Sequence, residues 1–164
     1  MLTFSGKTID YLNPTIEMIC IEDIARGLSS ESRFNGQTEY PYFVAQHSVL
    51  CSHNVPFPLA LEALLHDATE AYMKDIPSPL KALLPEYKII EQRLDSVIRQ
   101  AFGLPPTMSL EVHDADQRLL DREMRSFTSH LPRDEYPLYP FGIGEGYEEF
   151  MSRFETLTSC QTGE

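Results

Sequence analysis

Residues 58–73, PLALEALLHDATEAYM, constrain the chain more than any other stretch. They read as one strongly apolar helix running to about Met73. Pro58 suits a first-turn position, where its missing N–H is harmless. Asp75-Ile76-Pro77-Ser78-Pro79 ends the pattern, because neither proline can continue it. A helix this apolar is largely buried, so other elements have to cover it. Ile21 to Leu28 reads as a short helix and Phe43 to Asn54 as another. The stretch opened by Pro85 places apolar residues 89, 90, 94, 97, 98 and 101 on one helical face before Gly103. Leu110 to Ser129 and about Tyr147 to Thr158 complete the set. Ser32 to Pro41, with Gly36, and LPRDEYPLYPFGIGEG read as loops. No segment alternates as a strand does. The prediction is an all-α fold, a single compact helical bundle over residues 1–164, an ordinary size for one domain.

Charge narrows the partners. The formal net charge is -12, from 25 acidic and 13 basic residues. Such a surface repels a phosphate backbone and offers little counterion release, so no duplex nucleic acid is expected to bind. A small phosphorylated ligand stays open, because a divalent cation reverses the field locally. No apolar run approaches the roughly 20 residues of a membrane span, and the start lacks a basic segment followed by an apolar one. The expectation is a cytoplasmic protein with no membrane partner. Cys20, Cys51 and Cys160 form no CxxC pair and read as reduced thiols, chiefly small buried hydrophobes. His47 and Cys51, four residues apart, could share a metal, but this is the weaker reading.

The chemistry concentrates at residues 64–75. His66 and Asp67 follow ALEALL, and ionisable groups on a buried helix are costly unless they are paired or coordinate a cation. A His-Asp dipeptide alone is weak, and His113-Asp114 is a second one. Glu70 lies four residues past His66 and three past Asp67, on the same helical face. A carboxylate there can reach water beside a cation without taking a coordination site. Asp75 follows at the proline-bounded exit. A divalent first-row ion with imidazole and carboxylate ligands wants four or more donors. His47, mid-helix in FVAQHSVL, is a third ligand. Asp116, beside the apolar stripe Val112, Ala115, Leu119 and Leu120, is the best fourth, with Asp114 and His113 as alternatives on the same turn. Taken singly, each of these residues is as well explained by a hydrogen-bonded core histidine or a solvated acid; their conjunction carries the reading.

The order His47, His66-Asp67, Asp116 resembles the HD superfamily of metal-dependent phosphohydrolases. HDATEAYMKDIPSPLK resembles a segment of bacterial 5′-deoxynucleotidases and related phage enzymes, and Ala115-Asp116 resembles the late Ala-Asp of that group. Ile21 to Ala25, Arg33-Phe34 and Val44 to Ser48 are similar to small phage-type members, which include dATP triphosphohydrolases. The similarity covers roughly residues 15–125. Phe34 stands where those enzymes often carry Trp.

The resemblance implies a divalent metal (Zn, Co, Mn or Mg) on His47, His66, Asp67 and Asp116, with Glu70 and Asp75 assisting the attacking water. It implies that Arg33 and Phe34 contact phosphate and nucleoside. Lys81 is a second candidate for phosphate, and Gly36 and Tyr72 are candidates for base and sugar selection, although core packing is the stronger role for Tyr72. The expected activity is hydrolysis of a small deoxynucleotide, dATP triphosphohydrolase first and 5′-deoxynucleoside monophosphatase second. A non-catalytic metal or nucleotide-binding module on the same scaffold is the rival from another class. The apolar faces of the Pro85 helix and the C-terminal helix exceed what a monomer needs, so a homo-oligomer is expected.

Overall fold

Apolar spacing and prolines set most helix boundaries in the computed structural model, which describes residues 1–127, 130, 132, 135, 138–142 and 144–159. The helices are α1 (Ile21–Leu28), α2 (Val44–His53), α3 (Ala60–Leu65), α4 (Glu70–Met73), α5 (Ser78–Lys81), α6 (Pro85–Ala101), α7 (Leu110–Phe127) and α8 (Glu145–Ser159). Short 3-10 turns cover Ile16–Met18, Arg33–Gly36 and Phe57–Leu59. Among the described residues the β pairing amounts to two isolated antiparallel bridges, Leu2 with Thr8 and Ser32 with Phe43. The fold is an all-α bundle, as the patterning predicts. Among the same residues no helix is long and apolar enough to cross a membrane. Cys160, the predicted helix end at Thr128 and Ser129, and part of the predicted loop (131, 133, 134, 136, 137 and 143) lie outside the described residues.

α2 is the hub. It packs against α1, α3, α7 and α8, and Val44 to Val49, Cys51 and Ser52 are all buried. Apart from Ser48 Oγ, which has no hydrogen-bond partner, the buried polar side chains of this helix are satisfied inside the protein. Gln46 donates to the Tyr139 carbonyl at 2.7 Å and accepts from the Phe141 N–H at 2.8 Å. Ile24, Leu28, Val44, Leu64, Leu94, Ile98 and Phe150 form the core around α2 and α3. Cys51 packs in a second cluster with Ala63, Val112, Ala115 and Leu119. Burial pushes its thiol up to about 11, which suits a small hydrophobe and not a ligand.

Two departures from the predicted helices bear on function. The expected helix from Pro58 to Met73 is not continuous. Pro58 sits in a 3-10 turn, the α-helix proper starts at Ala60, and after Leu65 the chain tightens: Ala68 N–H bonds Leu65 O and Glu70 N–H bonds Asp67 O, both three residues back. No glycine or proline marks this break. In such a turn residues three apart eclipse each other, which draws Glu70 toward Asp67. On α6, Leu94 and Ile98 are buried as predicted, but Ile89 is 56% exposed, so the apolar face there is shorter than the sequence pattern.

α4 is held against α1 by the absence of a side chain. A Cβ added at Gly27 would come within 2.7 Å of both the Cβ and the carbonyl oxygen of Ala71. Backbone cannot yield as a flexible side chain does. Gly27→Ala is therefore expected to lower stability by about 1–3 kcal/mol through overpacking, outweighing a helix-propensity gain of up to about 1 kcal/mol. The urea midpoint checks this; a higher midpoint would mean that α4 can shift freely.

Candidate metal centre

Three elements bring four donor atoms together. His47 comes from the middle of α2, His66 and Asp67 from the tight turn between α3 and α4, and Asp116 from α7. His47 Nε2 lies 3.2 Å from His66 Nε2, 3.6 Å from Asp67 Oδ2 and 3.1 Å from Asp116 Oδ1. His66 Nε2 lies 3.2 Å from Asp67 Oδ2 and 3.8 Å from Asp116 Oδ1. Two donors about 2.1 Å from one ion stand about 3.0 Å apart at a right angle and about 3.4 Å apart at the tetrahedral angle. His47, His66 and Asp67 form a group able to hold a metal ion, and Asp116 stands beside it, within reach of His47 Nε2 and farther from His66 Nε2. Asp114 and His113, the alternatives on α7, are exposed; Asp116 is the α7 residue at the centre.

The hydrogen bonds on the far side of each ring decide what the near side can accept. His47 Nδ1 donates to Glu123 Oε1 at 2.7 Å, and His66 Nδ1 donates to the Ala63 carbonyl at 2.8 Å. With both Nδ1 atoms protonated, the facing Nε2 atoms carry lone pairs in the neutral rings. Two lone pairs 3.2 Å apart between two carboxylates require a proton or a cation between them. Burial alone would lower the His66 imidazole, but Asp67 and Asp116 outweigh it and hold the ring well above its ordinary range. Asp67 and Asp116 in turn sit below the usual carboxylate range, because the imidazoles outweigh the burial that would raise them. A divalent first-row ion satisfies the same set, and the residues fit one.

Glu123 joins the centre from outside the set of residues that the sequence pattern singles out. It is fully buried, and three groups lean on it: His47, the Tyr42 hydroxyl, which donates to Oε1 at 2.6 Å, and the Arg33 guanidinium, 3.1 Å from Oε2. Burial would raise its carboxyl, but His47, Arg33 and Tyr42 outweigh that and lower it. The signal was available: Glu123 falls on the α7 stripe of Val112, Ala115 and Leu119, two turns after Asp116, and an acid there needs a partner.

The centre opens on a cleft of 330 Å³ lined by Arg33, Phe34, Asp67, Glu70, Asp75 and Lys81 among others. Arg33 reaches it because the Ser32–Phe43 bridge and the bond from Arg33 N–H to Tyr42 O at 3.0 Å fasten its segment to the start of α2. Its guanidinium is 3.5 Å from Asp67. Phe34 and Asn35 have φ of 55° and 52°, and Gly36 follows at 69°. This left-handed run is uncommon without glycine and turns Phe34 toward the cleft. Gly36 itself is exposed and outside the cleft; it serves the turn. Tyr72 is not brought there either. It is buried in the core with its hydroxyl 3.4 Å from the Cys20 carbonyl, so of its two sequence readings packing is the one the geometry supports.

Glu70 is buried with Oε2 lacking a hydrogen-bond partner, as does Arg33 Nε. Burial first, then Asp67 and Asp75, push the Glu70 carboxyl well above the usual range. Burial also raises Asp75, opposed by Arg33 and Lys81. Lys81 Nζ is 2.8 Å from Glu91 Oε1. The centre thus has a closed side of imidazoles and an open side of carboxylates.

An ion entering this set has to displace the proton on His66. Metal affinity should therefore rise with pH through the range in which His66 titrates and be lost below it, with proton release on binding. Calorimetry with Mn²⁺ or Zn²⁺ in two buffers of different ionisation enthalpy reads this directly; equal heats in both would refute it. Glu123→Gln, which loses the charge behind His47, should weaken metal binding by about 10- to 100-fold.

The comparisons place the chain among relatives. No family model matches it. The uncharacterised protein YfdR of Escherichia coli (strain K12) is 46% identical over 170 residues, which span 97% of this chain and 96% of that protein. An uncharacterised protein of Rhodobacter capsulatus is 38% identical over 121 residues, 68% of this chain and 62% of its own length. At that identity and near-complete mutual coverage, the chain belongs to the family of YfdR.

Proposed function

We propose that this chain is a metal-dependent phosphohydrolase of the HD type that cleaves the 5′-phosphoester bond of deoxynucleotides. The observation that carries the reading is the convergence of His47, His66, Asp67 and Asp116 beside two carboxyls, Glu70 and Asp75, and a buried arginine in one cleft. The non-catalytic alternative leaves unexplained why Glu70 is buried with an unpartnered oxygen at the cleft wall.

A divalent ion bound there supplies Lewis acidity, which acidifies water and stabilises charge building on phosphorus. The two imidazoles favour Zn, Co or Mn over Mg, which prefers oxygen ligands. Glu70 takes the proton of the attacking water. Asp75 delivers a proton to the departing 5′-oxygen. Burial and neighbouring acids raise both carboxyls, Glu70 the more; a bound cation would lower them again and return Glu70 to the ionised form that a base requires. Arg33 pairs with phosphate oxygens through a planar fork that Lys cannot copy, and Phe34 offers a face to the nucleoside.

Within the class, dATP triphosphohydrolase is the reading that the sequence favours. The charge of the cleft favours the other, a 5′-deoxynucleoside monophosphatase. Among the described residues Arg33 and Lys81 are the cations lining it, against Asp67, Glu70, Asp75 and Asp116, and both are already shared with carboxylates. That inventory matches one phosphate better than three.

Deoxynucleoside mono- and triphosphates incubated with Mn²⁺, Co²⁺, Zn²⁺ or Mg²⁺ distinguish the two: orthophosphate release means monophosphatase, and tripolyphosphate release means triphosphohydrolase. Chelation and Asp67→Ala should abolish turnover, and Glu70→Gln should lower kcat by about 10²- to 10⁴-fold. A protein that binds metal but hydrolyses none of these nucleotides would instead be a binding module.

A further inference from the structure

Asp75 follows directly on Lys74, which among the described non-glycine residues shares a positive φ with Phe34 and Asn35. Lys74 caps α4 with φ 85° and ψ 147°, a conformation that a side chain with a Cβ rarely adopts. Such backbone persists only where its surroundings over-determine it, and here they do. The Lys74 N–H bonds Glu70 O at 2.9 Å. The Tyr87 hydroxyl from α6 sits 3.1 Å from the Lys74 carbonyl and 3.2 Å from that of Met73. Glu31 takes the rest: its Oε1 accepts the Asp75 N–H at 3.2 Å, and its Oε2 pairs with Lys74 Nζ.

Glu31 is unusual for its place. It lies in the connection after α1, yet it is buried. Its carbonyl accepts the Val44 N–H at 3.0 Å, at the start of the helix that carries His47. Two residues later the same segment presents Arg33. One residue therefore fastens three things to one another: the Arg33 segment, the first turn of α2, and the turn that presents Asp75. The Lys74 side chain is 75% exposed, so its ion pair is screened and contributes little. The bond to the Asp75 N–H, at a half-buried position, is the one that fixes geometry.

We propose that Glu31, with Tyr87 bracing the Lys74 carbonyl from the opposite side, is a positioning residue that holds Lys74 in its left-handed conformation and thereby sets where the Asp75 carboxyl stands in the cleft. The inference rests on the reading of Asp75 as proton donor. A misplacement of about 1 Å at a reacting group is enough to slow turnover up to about a hundredfold, so the clamp acts on kcat and leaves phosphate binding to Arg33 alone.

The test uses the intact chain with Mn²⁺ and the better turned over of dAMP and dATP. Glu31→Ala is expected to lower kcat by about ten- to a hundredfold, with KM within about twofold and Mn²⁺ binding unchanged by calorimetry. Glu31→Gln keeps an acceptor oxygen for the Asp75 N–H and should restore most of kcat. Lys74→Gly relieves the strain: its urea midpoint should rise while its kcat falls, a pair of changes that a merely structural contact does not produce. Should Glu31→Ala fail to fold, Tyr87→Phe carries the test, with a severalfold fall in kcat expected. Wild-type kcat in Glu31→Ala, or in Tyr87→Phe if that variant stands in for it, overturns the clamp while leaving the phosphohydrolase reading intact. Inactivity of the unaltered protein on dAMP, dATP and every other deoxynucleoside mono- and triphosphate sinks that reading, and the clamp with it.

Discussion

The contact between His47 and Glu123 is the one on which the rest of this structure depends. Both side chains are fully buried, and neither is tolerable there alone. An isolated carboxylate at that depth would neutralise or force the site open, and a fully enclosed imidazole needs a partner at each nitrogen. Joined at 2.7 Å, they turn a liability into a fixed direction: Nδ1 is committed, so Nε2 points at His66, Asp67 and Asp116. Arg33 and Tyr42 complete the network from the other side of Glu123. A buried polar network of this kind is useful only when every member is satisfied. Here Glu123 Oε2 has the Arg33 guanidinium at 3.1 Å as an ion-pair partner and no hydrogen bond, and Arg33 Nε and Glu70 Oε2 beside the cleft have no hydrogen-bond partner either.

The surrounding bundle is arranged to keep that network in place. α2 is enclosed by four neighbours, α4 is drawn against α1 by the bare backbone of Gly27, and a second buried ion pair anchors the far end of α3. There Glu62 holds Arg99 at 3.2 Å and accepts the Ser109 N–H at 2.8 Å, tying α3 to α6 and to the approach to α7. The helices that contribute donors are therefore fixed to one another by polar contacts as well as apolar ones. That is what a site with tolerances of a fraction of an ångström requires.

The net charge of -12 acquires a local meaning in this setting. The acids at the centre, Asp67, Glu70, Asp75 and Asp116, are gathered where a divalent cation can offset them, whereas the cations facing them are few and already engaged. Elsewhere a surface of this charge repels polyanions.

Much of this was legible in the chain. Apolar periodicity gave the all-α class and, within a residue or two, the bounds of α1, α2 and α6, because amphipathic spacing and proline act locally. The conjunction of His47, His66, Asp67 and Asp116 could be read because ionisable residues on apolar helices need a shared reason to be there. The tightening of the chain between Leu65 and Glu70, the left-handed run at Phe34 to Gly36 and the strained Lys74 could not, since no glycine or proline marks the first and last of these. Glu31 and Tyr42 lie outside regular helices and carry no periodic signal. Glu123 does carry one, as an acid on an apolar stripe. The sequence by itself determined the helical class, most of the apolar faces and the presence on them of residues too polar to be buried alone, because helical periodicity is local, although Ile89 on such a face is exposed and Glu31 and Tyr42 outside one are buried. Only the tertiary structure decided which helices meet, and so that His47 faces His66, that Asp116 and not Asp114 joins them, and that Gly36 and Tyr72 stand apart, because contacts between residues distant in the chain are set by how whole faces pack.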